Sequence, residues 1–204
     1  MIINYKNKKL IFTHIQKSGG TSIVNFFKCN KNHNKIKFDI EYLKKINEKI
    51  GDYFKFTIIR NPWDRMVSFY HYHKQKALDP NFHTKTWNYI KDLNFNEFLK
   101  SDKFQIWAKR NNITNYITYK NKTYIDYYID FDNLEEDFEL IKKISGKKGN
   151  LLIKNKSNHE KYENCYNNKT KKIINCLFKK EINFFKFKFG CKINLKNFNN
   201  SGLI

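Results

Sequence analysis

The sequence is short of chain-breaking residues, with 2 prolines and 7 glycines in 204 residues. That scarcity is expected of an A/T-rich coding sequence. No apolar run approaches the about 18 residues that a membrane-spanning helix needs. The opening Met1-Ile2-Ile3-Asn4-Tyr5-Lys6 lacks the basic-then-apolar pattern of a secretory signal, so the expected location is the cytoplasm. The 4 cysteines, Cys29, Cys165, Cys176 and Cys191, include no Cys-x-x-Cys pair, which argues against a zinc knuckle or a dense disulfide framework. Acidic residues number 19 against 40 basic ones, for a formal net charge of +21.

What is present is a core. Hydrophobic residues make up 40% and aromatics 17% of the chain, too much for a disordered basic tail. The length fits one domain over 1–204. Nearly all basic residues are Lys, spread along the chain, and Asn, Ile, Phe and Tyr are also abundant. That is the composition of an A/T-rich coding sequence. The charge reads as a solvated surface, with nucleic acid expected only as a non-specific partner, and it concentrates anionic ligands nearby.

Two short places run against this composition. The Gly-Gly pair is Gly19-Gly20, and two of the three arginines, with a proline between them, lie in Arg60-Asn61-Pro62-Trp63-Asp64-Arg65. Lys9 to Ile15 is a short apolar run ending at Lys17-Ser18-Gly19-Gly20, which predicts a buried strand and a glycine turn. Thr21 and Ser22 then offer capping oxygens to a helix carrying Ile23, Val24, Phe26 and Phe27. Residues 28–37 read as a loop and Glu41 to Ile50 as a helix stopped by Gly51. Tyr53 to Ile59 reads as a second strand, with a helix opening at Pro62. Further helices are expected around Asn94–Leu99 and Phe104–Ala108, a strand over Tyr124–Phe131, a helix from about Asp132 to Gly146, a short strand at Leu151–Ile153, and a helix over Thr170–Lys180. Strands alternating with helices predict an α/β domain with a mainly parallel sheet flanked by helices.

A strand, then Lys17-Ser18-Gly19-Gly20-Thr21-Ser22, then a helix suits phosphate or sulfate. Glycines let the backbone approach the anion, and the helix N-terminus aims N–H groups and its dipole at it. The plain alternative is an ordinary strand-to-helix turn. The order of Lys and Gly differs from the GxxxxGK[ST] nucleotide loop. Arg60, at the second strand's end, and Ser68, two turns into the next helix, suit a second phosphate. Arg65 has the alternative role of tying its helix to a carboxylate.

The segment His14 to Ile23 resembles the 5′-phosphosulfate loop of sulfotransferases, and Arg60 to Tyr70 resembles their 3′-phosphate motif. Asp130 to Phe138, and Asn155-Lys156-Ser157 followed by Tyr162 and Tyr166, are similar to later family segments, so the resemblance spans roughly residues 9–190. It is nearest the carbohydrate branch with the heparan and chondroitin enzymes. It implies a three-layer fold like that of P-loop NTPases, the donor 3′-phosphoadenosine 5′-phosphosulfate, no metal, and an acceptor hydroxyl, by default on a glycan. Lys17 would sit by the sulfate, Ser18, Gly19, Gly20, Thr21 and Ser22 around the 5′-phosphate, and Arg60 and Ser68 at the 3′-phosphate. The family branch often places a His between the two motifs. His33 is the candidate general base there, with His14, His71, His73, His83 and His159 as alternatives. A nucleotide-dependent phosphotransferase and a basic nucleic-acid-binding protein remain the competing classes.

Overall fold

The computed structural model describes residues 1–81, 86–152 and 160–199. In chain order the elements are β1 (Ile2–Tyr5), β2 (Lys8–Thr13), α1 (Gly20–Phe27), α2 (Ile36–Lys45), β3 (Phe54–Ile59), α3 (Pro62–Leu78), α4 (Phe95–Lys100), α5 (Asp102–Arg110), α6 (Ile113–Ile117), β4 (Thr118–Tyr119), β5 (Lys122–Thr123), β6 (Tyr127–Asp130), α7 (Leu134–Ser145), α8 (Asn168–Leu177), α9 (Lys179–Phe185) and α10 (Lys196–Asn199). They fall into two compact units, one of residues 1–60, 113–155 and 193–204, the other of residues 61–112 and 156–192. No helix among the described residues is long and apolar enough to cross a membrane.

In the first unit the strands form one sheet in the order β1-β2-β3-β6. β2, β3 and β6 run parallel, and β1 is antiparallel at the edge. Successive side chains of a strand point to opposite faces. Leu10 and Phe12 of β2 therefore join Phe56, Ile58 and Ile129 in a core with Ile23, Val24 and Phe27 of α1 and Leu134, Phe138 and Ile141 of α7. Ile11 points the other way and packs with Ile36, Ile40 and Leu43 of α2 and with Tyr53. Helices thus cover both faces, as a buried parallel sheet requires. The expected α/β architecture, a mostly parallel sheet flanked by helices, is what the chain adopts.

In the second unit Pro62 opens α3 at its first position, and the Asn61 side chain accepts from the Trp63 N–H at 3.0 Å. Trp63, Met66, Val67 and Tyr70 are buried, as their spacing predicts. The Tyr166 hydroxyl donates to the Trp63 carbonyl at 2.9 Å. Arg65, 1% exposed, pairs with Glu181 of α9, 0% exposed, at 2.8 Å, which is the structural role open to it from sequence.

Several boundaries differ from the sequence reading. α2 begins at Ile36 and ends at Lys45, because Ile36, Ile40 and Leu43 make the apolar stripe and Lys/Asn richness does not prevent a helix. Thr21 and Ser22 do not cap α1. Gly19, left-handed at φ 80°, holds the cap position with no side-chain cap. The third parallel strand starts at Tyr127, and the Thr170–Lys180 helix breaks at Phe178 into α8 and α9. Leu151 and Leu152 lie in no strand, and Ile153 is outside the described residues.

Candidate active site

β2, β3 and β6 end at the same edge of the sheet, with Thr13 level with Thr57 and Ile59 level with Asp130. The Thr57 hydroxyl donates to the Thr13 carbonyl at 2.7 Å and fixes the point where the chain leaves β2. Open α/β sheets bind ligands at this carboxyl edge.

Between β2 and α1 the chain turns through Lys17, at φ 62°, and Gly19, at φ 80°. Both are left-handed, which glycine tolerates and Lys adopts at a cost. A Cβ on Gly19 would stand 3.2 Å from the Phe131 ring, and one on Gly20 would stand 2.2 Å from Cδ2 of His14. The loop is therefore held against two rings by backbone alone. α1 starts there with no acidic residue in its first turn and no side-chain cap. Its positive dipole end is met by no side-chain anion of its own first turn. Ser18, 1% exposed, has its hydroxyl buried with no hydrogen-bond partner among the described residues.

Two cations meet at this loop. Arg60 leaves the end of β3, and its Nη1 donates to the Lys17 carbonyl at 2.8 Å. Its guanidinium carbon lies 4.0 Å from the centre of the Phe131 ring. Burial, then the charge of Arg60, then that of Lys31, brings the Lys17 ammonium down to about 8 from its ordinary 10.5. A bound anion reverses that penalty by neutralising the local field.

His33 lies beside the loop. Its Nδ1 is 3.1 Å from the His14 carbonyl oxygen. A carbonyl only accepts, so Nδ1 carries the proton and Nε2 is the basic nitrogen. Its ring centre is 4.1 Å from that of His14. Burial first, and then Lys31, lowers the affinity of His33 for a second proton, although its hydrogen bond to His14 acts the other way. His14 is 3% exposed and is pushed down to about 2 by burial, then by His33 and Lys31.

The structure thus brings Lys17, Ser18, Gly19, Gly20, Thr21, Ser22 and Arg60 to one loop and one strand end of the first unit, with His33 joined to them through His14. Ser68 belongs to the second unit, on α3, and is 2% exposed. His71 and His73 are half-buried on α3, and the His73 ring packs on Phe69 and Trp87. His83, His159 and the segment Asn155-Lys156-Ser157 lie outside the described residues. Sequence reasoning missed Phe131 and Lys31. Phe131 directly follows β6, and its place at the end of a parallel strand was its signal. Lys31 is one Lys among many in a Lys/Asn-rich stretch and had none. Among the described residues no group of three or more His, Cys, Asp or Glu side chains is arranged as a metal site.

A family model described as the sulfotransferase family matches residues 1–188. No curated protein matches the chain. A crystal structure of mouse sulfotransferase SULT7A1 complexed with PAP aligns over 88% of this chain and 85% of that one, at 15% sequence identity and a TM-score of 0.45.

Proposed function

The chain belongs to the sulfotransferase family, and on that premise we propose that it moves the sulfuryl group of 3′-phosphoadenosine 5′-phosphosulfate to an acceptor hydroxyl on a carbohydrate. The observation that carries this reading is the joining of the two motifs, Arg60 Nη1 to the Lys17 carbonyl, at a glycine loop that opens α1. Lys17, the first-turn N–H groups of α1 and the buried Ser18 hydroxyl are donors suited to the 5′-phosphosulfate. Arg60 supplies a planar fork suited to the 3′-phosphate. The carbohydrate acceptor is supported by the likeness of both motifs to the glycan-sulfating branch. A tyrosine, lipid or small-molecule hydroxyl is what an acceptor screen must exclude.

In the transfer, the acceptor oxygen bonds to sulfur as the bond from sulfur to the 5′-phosphate oxygen breaks in line. The electron pair of the broken bond stays on the phosphate oxygen, where Lys17 meets the growing charge. The acceptor proton goes to Nε2 of His33, which is unprotonated at neutral pH because burial depresses its proton affinity. The products are adenosine 3′,5′-bisphosphate and a sulfate ester, with protonated His33 returning its proton to water.

The deciding experiment is a thermal shift with adenosine 3′,5′-bisphosphate, beside 5′-AMP and beside ATP with Mg. A ligand at 100 times its dissociation constant stabilises the fold by about 2.7 kcal/mol, roughly 5–10 °C at this size. A shift that requires the 3′-phosphate supports the donor site. A shift with ATP and Mg alone overturns it in favour of phosphoryl transfer.

A further inference from the structure

His14 touches both halves of the candidate site. It follows the last residue of β2 and is 3% exposed. Its ring stacks on Phe12 at 5.5 Å and meets the His33 ring at 4.1 Å. The same ring fills the space that a side chain at position 20 would need, with Cδ2 2.2 Å and Nε2 2.5 Å from where a Gly20 Cβ would stand. Its carbonyl accepts the Nδ1 proton of His33 at 3.1 Å. One residue therefore couples the first turn of α1 to the orientation and the tautomer of a second histidine 19 positions away.

We propose that His14 is a positioning residue for His33. Its ring, packed on Gly20 and on the His33 imidazole, sets where the His33 ring lies, and its carbonyl holds the Nδ1 proton so that Nε2 is presented as the acceptor. This rests on the reading of His33 as the base. Burial supports the role, because it keeps the His14 ring neutral through the working pH range. The charge that faces His33 is then that of Lys31. Gly20 acquires a second reason to be glycine beyond close approach to an anion. A side chain there displaces the His14 ring, and with it the surface on which His33 rests.

The test is nitrogen-detected NMR of the imidazoles in the whole protein, with His33→Ala supplying the assignment. In the wild type His33 is expected as the Nδ1–H tautomer, titrating below 6.5. In His14→Ala, and independently in Gly20→Ala, the tautomer is expected to become mixed and the titration to move up toward 6.5. The second variant keeps the test decisive if the first does not fold. The two effects should not add, since Gly20→Ala acts by pushing a ring that His14→Ala has already removed. Sulfuryl transfer should fall in each, with the acid limb of the pH–rate profile moving with the NMR titration, and by less than the roughly 10²–10⁴-fold that removal of a general base costs. An unchanged tautomer and titration of His33 in both single variants overturns the proposal, as does strict additivity. If His33→Ala keeps the wild-type rate and profile, the base reading fails by itself, and the NMR result still decides whether His14 positions the ring.

Discussion

The Arg60 guanidinium donates to the backbone carbonyl of Lys17 at 2.8 Å, so a residue of the second motif holds the backbone of the first. That carbonyl belongs to a residue with a left-handed backbone at φ 62°, a conformation that persists only when surroundings enforce it. Arg60→Ala should therefore weaken adenosine 3′,5′-bisphosphate binding by about 1.5–3 kcal/mol, the range for a charged hydrogen bond. Arg60→Lys should recover only part of this, because an ammonium lacks the fork that spans carbonyl and ligand while stacking on Phe131. Isothermal titration of the three proteins checks it. Equal affinities would remove Arg60 from the site.

Lys17 gives a pH signature of two opposite signs. Its ammonium, lowered to about 8 by burial, Arg60 and Lys31, loses its proton as pH rises through that value. The bisphosphate has completed its own ionisation by then, its second step lying near about 6. Affinity for the bisphosphate should thus fall above pH 8, with proton uptake on binding, and Lys17→Arg should flatten the dependence. Folding runs the other way. Between about 8 and 10.5 the unfolded chain holds a proton that the folded one has lost, so Lys17 makes stability rise with pH there. Lys17→Ala should also cut turnover by roughly 10²–10³-fold, as for one oxyanion donor. Unchanged turnover in a folded variant would end that role.

The parts of the site legible in sequence were those that defied the composition. Gly19-Gly20 and Arg60 stood out from a Lys/Asn/Ile/Phe background; a Cβ at either glycine would crowd a ring, and Arg60 reaches the Lys17 carbonyl. The parallel strands were legible, β2 as an apolar run and β3 and β6 largely from the alternation of their residues. β1 was not, because it joins β2 through a two-residue Lys6-Asn7 turn at φ 44° and 65°. Lys120-Asn121 repeats this between β4 and β5 at φ 48° and 61°. Such turns ordinarily announce themselves with Asn-Gly or Asp-Gly, and here Lys takes the strained first place. The Phe131 platform and the His14–Gly20 contact went unread for another reason. Phe131 meets Arg60 and Gly19 only through the register of β2, β3 and β6, and His14 meets Gly20 only through the left-handed turn at Lys17 and Gly19.

The two histidines should make the fold acid-sensitive. His14 falls to about 2 in the folded protein from the ordinary 6.5 of an imidazole, and His33 is lowered in the same direction. The unfolded chain therefore binds protons that the folded chain refuses as pH drops below 6.5, and stability falls with pH in that window. His14→Phe should keep the ring contact with Phe12 while removing the titration. Urea melts at pH 7.5 and pH 5 should show the wild type losing more stability between the two than His14→Phe. An equal loss in both proteins would mean that His14 is not the group that must be charged.

The buried pair in the second unit allows a prediction in which two changes cost less than one. Arg65 donates to Glu181 at 2.8 Å, with both side chains out of solvent at 1% and 0% exposure. The guanidinium also reaches the Asn111 carbonyl at 3.4 Å and lies 5.2 Å from the Phe178 ring, while its Nε has no partner among the described residues. The Arg side is thus incompletely satisfied and depends on the carboxylate. Glu181→Ala strands the buried cation and should destabilise the unit by about 3–5 kcal/mol. Replacing both partners by apolar groups of similar size, Arg65→Met with Glu181→Leu, removes two desolvated charges together and should be more stable than either single variant. Urea denaturation of the four proteins completes the cycle. A double variant that loses the sum of the two single losses would show that the charges do not act through each other.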